Sequence, residues 1–95
     1  EQDFKEAVKW FQKAADQGHI NAQTTLGVQY AEGKGVEQND VTAYAWWEIA
    51  STIGHQGARK NKTIIAERMN PAQIAKAEEL VKEMVKKNPK LLNKK

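Results

Sequence analysis

"AVKWFQKAADQGHINA" at residues 7–22 and "AYAWWEIASTIGHQGA" at residues 43–58 carry one pattern twice. Trp10 and Phe11 stand against Trp46 and Trp47, Gly18 against Gly54, and His19 against His55, each pair 36 residues apart. A fixed offset of this size, with apolar residues at helical spacing on both sides, marks stacked two-helix units that bury their apolar faces only against one another.

Outward from these stretches the helical starts and stops can be placed. Asp3 with Glu6 reads as an N-cap and its capping-box partner, followed by Phe4, Ala7, Val8, Phe11, Ala14 and Ala15 at helical spacing up to Gly18. A second segment runs from about Asn21 to Ala31, with Ala22, Leu26 and Tyr30 on one face, and ends in the turn "EGKGVEQN" at 32–39. Asn39 lies 36 residues after Asp3 and caps a third helix ending at Gly54. That helix is apolar nearly all round through "AYAWWEIA", which places it between neighbours at the centre of the structure. A fourth runs from about Gly57 to Met69 with Ala58, Ile65 and Met69 inward. "NPAQ" at 70–73 then starts a fifth that Pro89 ends. Two predicted close contacts follow: Gly27, in mid-helix, admits a neighbouring tryptophan, and Trp10, Phe11, Trp46 and Trp47 fall where helices pack.

The combination of A-x-x-W-aromatic-x-x-A, a Gly-His turn, A-Q-x-x-L-G-x-x-Y and G-x-G-V-x-Q resembles the Sel-one-like repeat (SLR) family, relatives of the tetratricopeptide repeats. The resemblance implies an all-α fold: a right-handed α/α superhelix of about five antiparallel helices. It divides residues 1–88 into a half repeat (3–18), a full repeat (20–54) and a diverged capping pair (56–88). It implies a non-enzymatic protein-binding or scaffold role with no catalytic, cofactor or metal site, and an exported or periplasmic location, as for many bacterial relatives. The first helix corresponds to the second helix of a repeat. Its Phe4, Val8 and Phe11 side is therefore expected to be an open edge, covered by something N-terminal or by self-association.

Composition narrows the function classes. There is no cysteine, which removes disulfides and thiolate chemistry, and the longest apolar run is five residues, so no signal or spanning segment is read. The net charge of +3 comes from five lysines in the last ten residues, of which the stretch 89–95 is expected to be a solvated, lysine-rich tail. Residues 1–85 carry ten basic and twelve acidic side chains, so the body is mildly acidic.

His19 and His55 follow glycines at helix junctions, where a ring nitrogen can serve free backbone groups. One repeat apart, at about 10 Å or more, they cannot share one metal ion. "GKG" at 33–35 is a turn, lacking the Ser or Thr and the spacing of a phosphate loop. Glu78 and Glu79 face different directions on one helix and form no dyad.

The first helix of each pair lines the groove of such a superhelix. Opposite the inward Ala22, Leu26 and Tyr30 lie Asn21, Thr24 and Val28; opposite Ala58, Ile65 and Met69 lie Lys60, Ile64 and Glu67. These six are the candidate partner-binding groove, with Val28 and Ile64 as apolar anchors. The alternative is a nucleic-acid-binding helical module using Arg59, Lys60, Lys62 and the C-terminal lysines.

Overall fold

The 36-residue offset is carried by matched helix starts in the computed structural model, which describes residues 3–93. Five α-helices follow one another: α1 (Phe4–Asp16), α2 (Ile20–Glu32), α3 (Asp40–Thr52), α4 (Gln56–Ala66) and α5 (Pro71–Lys87). A short 3-10 helix, Pro89–Leu92, closes the described chain, and no strand occurs among the described residues. Asp3 and Asn39 cap α1 and α3, their side-chain oxygens accepting from the N–H of Glu6 and Thr42, both at 3.1 Å. At α5 the capping box is reciprocal: Asn70 accepts from the Gln73 N–H at 2.8 Å, and the Gln73 side chain accepts from the Asn70 N–H at 2.9 Å.

The histidines set the other two starts. His19 Nδ1 accepts from the Ala22 N–H at 3.3 Å, and His55 Nδ1 from the Ala58 N–H at 3.0 Å. Each ring therefore caps a helix, with its proton on Nε2, and satisfies one of the amide donors that a helix start leaves free. For this reason α2 and α4 begin at Ile20 and Gln56, one residue earlier than the apolar spacing suggests.

Helix α3 is the hub, packing on α2, α4 and α5, while α1 packs on α2. Its two tryptophans, about 100° apart around the axis, serve different cores. Trp46 joins Ala15 of α1, Ala22 and Leu26 of α2, and Leu91; Trp47 joins Ala58, Ile65 and Met69 of the α4 side and Ala77 of α5. Each cluster sets alanines beside one large indole, so that the ring fills the space the small side chains leave.

Two expectations fail, each for a packing reason. Trp10 is not buried between helices but 66% exposed. Its counterpart Trp46 is buried at 4% by Ala15, Ala22 and Leu26, which belong to the two helices ahead of it. Among the described residues no helix pair stands ahead of α1 to do the same for Trp10.

Residues 89–93 are not a solvated tail. Leu91 is 2% exposed inside the core shared by α1, α2 and α3. Buried Gln23 donates from Nε2 to the carbonyls of Ala15 at 3.2 Å and Leu91 at 2.9 Å, and Asn88 donates to the Asp16 carbonyl at 2.8 Å. Gly18, at φ +90°, lies so close to the carbonyls of Lys90 and Asn93 that a Cβ would collide with both. Lys94 and Lys95 lie outside the described residues.

Candidate functional site

Two clefts open beside α2. One lies between the last turn of α2 and α4, encloses about 200 Å³, and is lined by Ala31, Trp47, Asn61, Ile64, Ile65 and Arg68. The other lies between α1 and α2, encloses about 380 Å³, and is lined by Phe4, Ala7, Phe11, Thr25, Val28 and Gln29. Their linings correspond at an offset of 36 residues: Phe11 with Trp47, Thr25 with Asn61, Val28 with Ile64, and Gln29 with Ile65. The two clefts thus recur at the repeat offset, and the α1–α2 cleft is the larger of the pair.

The six groove residues inferred from sequence are placed unequally around these clefts. Ile64 is 65% exposed at the rim of the α2–α4 cleft. Val28 lines the α1–α2 cleft but is half-buried and also packs on the core around Trp47, so it is only partly a free anchor. Asn21, Lys60 and Glu67 are exposed and line neither cleft. Thr24 is half-buried, with its hydroxyl donating to the Ile20 carbonyl at 3.2 Å. Of the residues that line the clefts, the groove assignment left out Gln29, Ala31, Asn61 and Arg68, whereas Phe4 and Phe11 belong to the edge that the sequence marked as open. The repeat offset could not find Gln29 or Asn61, because their counterparts Ile65 and Thr25 were not assigned to the groove.

The charges near the clefts are largely paired. Arg68 reaches Asp40 through two bonds, Nη2 to Oδ1 at 2.7 Å and Nε to Oδ2 at 3.0 Å, and this hydrogen-bonded pairing raises the guanidinium's pKa above its ordinary value. Of the basic cluster Arg59, Lys60 and Lys62, the last is bound to Glu48 at 2.6 Å and lies over the Tyr44 ring. Lys62 is therefore spent within the fold, while Arg59 and Lys60 are exposed. No His, Asp and Glu set that could hold a metal gathers among the described residues, and none of their helices is long and apolar enough to cross a membrane.

The Sel1 repeat profile matches residues 1–19 and 20–55, more than half of the chain, with its boundary at the junction that His19 caps. The chain belongs to the Sel1 repeat family. A protective antigen present in uropathogenic Escherichia coli strains and displaying an SLR fold superposes with a TM-score of 0.87 at 34% identity, over 96% of this chain and 20% of that one. The chitin synthase regulator SKT5 of Saccharomyces cerevisiae is 43% identical over 83 residues, 67% of this chain and 12% of the regulator. This Sel1 repeat chain thus spans a small part of the length of either relative. Sel1 repeats are generally protein–protein interaction modules and are typically non-enzymatic, and the all-helical architecture here is that of the SLR fold.

Proposed function

We propose that this Sel1 repeat segment binds a protein partner along the face made by α2 and α4, with Ile64 as the principal apolar anchor and the two equivalent clefts as its receiving sites. The observation that carries the reading is Ile64, 65% exposed above a cleft whose floor is Trp47 and whose copy recurs one repeat earlier beneath Val28. Core packing has no use for an aliphatic side chain held in water, and the same residue class stands at the same repeat position on the neighbouring helix. Asn21, Thr24, Lys60 and Glu67 supply the polar surround of such a contact. The nucleic-acid alternative is weakened by the pairing of Lys62 with Glu48, which leaves Arg59 and Lys60 without a third partner on that face.

The test is capture by the immobilised chain in parallel with two variants: Ile64→Asp, and Lys76→Asp on the exposed outer side of α5. A partner retained by the parent and by Lys76→Asp, lost from Ile64→Asp with unchanged thermal unfolding, and still held in high salt supports the reading. Equal capture by all three chains refutes it, as does a captured species that is nucleic acid and elutes steeply with salt.

A further inference from the structure

Trp10 stands 66% exposed on the outer side of α1, within a run of charges. Glu6, Lys9, Lys13 and Asp16 follow in the order acid, base, base, acid. The first three are exposed and border a surface hollow together with Val8, Trp10 and Gln12. Lys13 lies over the Trp10 ring at 5.8 Å, and half-buried Asp16 accepts from the Gln12 side chain at 2.9 Å. On the outer side of α5 a second hollow is bordered by Val41, Lys76, Glu79, Leu80 and Glu83. Here Lys76, Glu79, Glu83 and Lys86, all exposed, run in the opposite order: base, acid, acid, base.

Both runs have the spacing i, i+3, i+7, i+10, which holds four residues within about 80° of one another around a helix axis. Each also has an apolar residue at i+4, Trp10 in one and Leu80 in the other. Either order reads the same from both ends, so the charges match whether the two helices lie parallel or antiparallel. None of these charges takes part in an ion pair among the described residues. The two faces cannot meet within one chain, because α1 is packed on α2, α2 on α3, and α3 on α5.

We infer that the outer face of α1 docks on the outer face of α5 in a second copy of this chain, with Trp10 and Leu80 covered in the contact. The opposed charges set the pairing, and the covered apolar residues supply most of the affinity. One helix face on each side makes a small interface, so the association is weak and reversible. Because the two faces differ, the contact is head-to-tail. Each copy that joins leaves a free α1 or α5 face for the next, and assembly proceeds to a ring or an open filament.

The experiment is sedimentation equilibrium of the chain at low salt, read together with its tryptophan emission. Trp46 and Trp47 are buried, so the long-wavelength emission belongs to Trp10. As concentration rises, the mean mass should climb past that of a dimer and the emission should move to shorter wavelength in step. Added salt should reverse both. The pair Lys9→Glu with Lys13→Glu, and separately the pair Glu79→Lys with Glu83→Lys, should each weaken association at least about ten-fold, since each sets like charges together. Mixing the two double variants should restore assembly, because every α1 face then meets a complementary α5 face. Ile64→Asp, on the α2–α4 face, should associate as the parent chain does. A parent chain that stays monomeric overturns the assignment, as does a mixture that fails to recover. Association retained by Glu79→Lys with Glu83→Lys overturns it in favour of α1 pairing with itself, and association lost in Ile64→Asp overturns it in favour of the clefts.

Discussion

The indole of Trp47 lies against the bare backbone of Gly27. A Cβ built on Gly27 would sit 2.7 Å from Trp47 Cδ1 and 2.8 Å from Cε2, and the indole Nε1–H donates to the Thr24 carbonyl one turn earlier. One missing side chain on α2 thus allows α3 to pack at the distance its hydrogen bond requires, and the same indole forms the floor of the α2–α4 cleft.

Gly27→Ala is therefore expected to destabilise the chain, although alanine favours a helix over glycine by roughly 1 kcal/mol. Overpacking against a ring held on both sides costs about 1–3 kcal/mol, and the Thr24 bond is strained as well. A net loss of about 1–2 kcal/mol should appear as a clearly lower midpoint in urea unfolding. A midpoint equal to or above that of the parent chain would show that the indole can move aside.

The histidines are replaceable caps. His55→Ala and His19→Ala should each cost about 1 kcal/mol, whereas the asparagine variants, which keep an acceptor at the N-cap, should lose only a few tenths. Nitrogen chemical shifts should report the Nε2–H tautomer for the neutral form of both imidazoles, because Nδ1 is the acceptor in both caps. Equal losses for alanine and asparagine would mean that the rings act through packing.

Leu91 anchors the C-terminal turn to the far end of the chain. Leu91→Ala should cost about 2–4 kcal/mol, as for other fully buried leucines, while Leu92→Ala, at a side chain 38% exposed, should cost far less. Equilibrium unfolding of the two variants side by side checks this. Equal, small effects would return residues 89–93 to the status of a solvated tail.

Tyr44 gives the fold an alkaline limit. Burial is the main cause that raises its pKa above the ordinary 10.0, with help from Glu48 and from Glu78, whose carboxylate accepts the Tyr44 hydroxyl at 3.3 Å; Lys62 opposes the rise. A folded pKa above the unfolded one means the contribution is complete below pH 10 and is lost as pH climbs from there through the folded value. Tyr44→Phe should remove that part of the pH dependence. Unfolding curves on both sides of pH 10 for the two chains should converge at the alkaline end, and parallel curves would show that Tyr44 ionises as freely folded as unfolded.

Much of the fold was legible because it is written locally. The capping residues Asp3, Asn39 and Asn70, the glycines at 18 and 54, and the apolar spacing of α1 to α5 each act within a few residues of their position. The all-round apolarity of "AYAWWEIA" sufficed to place α3 at the centre. The mid-helix position of Gly27 also implied that it faces a tryptophan, since a glycine there costs stability unless a neighbour uses the space.

The rest was settled by contacts between residues far apart in the chain. "KKNPKLLNKK" at 86–95 reads as polar and lysine-rich, yet Leu91 is buried because Gly18, Gln23 and the end of α1 offer it a place some 70 residues away in sequence. Trp10 has the same local signature as Trp46 and the opposite fate, because burial depends on whether a preceding helix pair is there to cover the ring. Within the candidate site, helical angle put Val28 and Ile64 on one face but could not show that Val28 leans on the core while Ile64 stands free, nor that Gln29 is held unpaired at the cleft that Phe4 and Phe11 wall. Periodicity determines which way a side chain points from its own helix; whether that direction meets water, a ring or an unpaired amide is decided by how the helices pack.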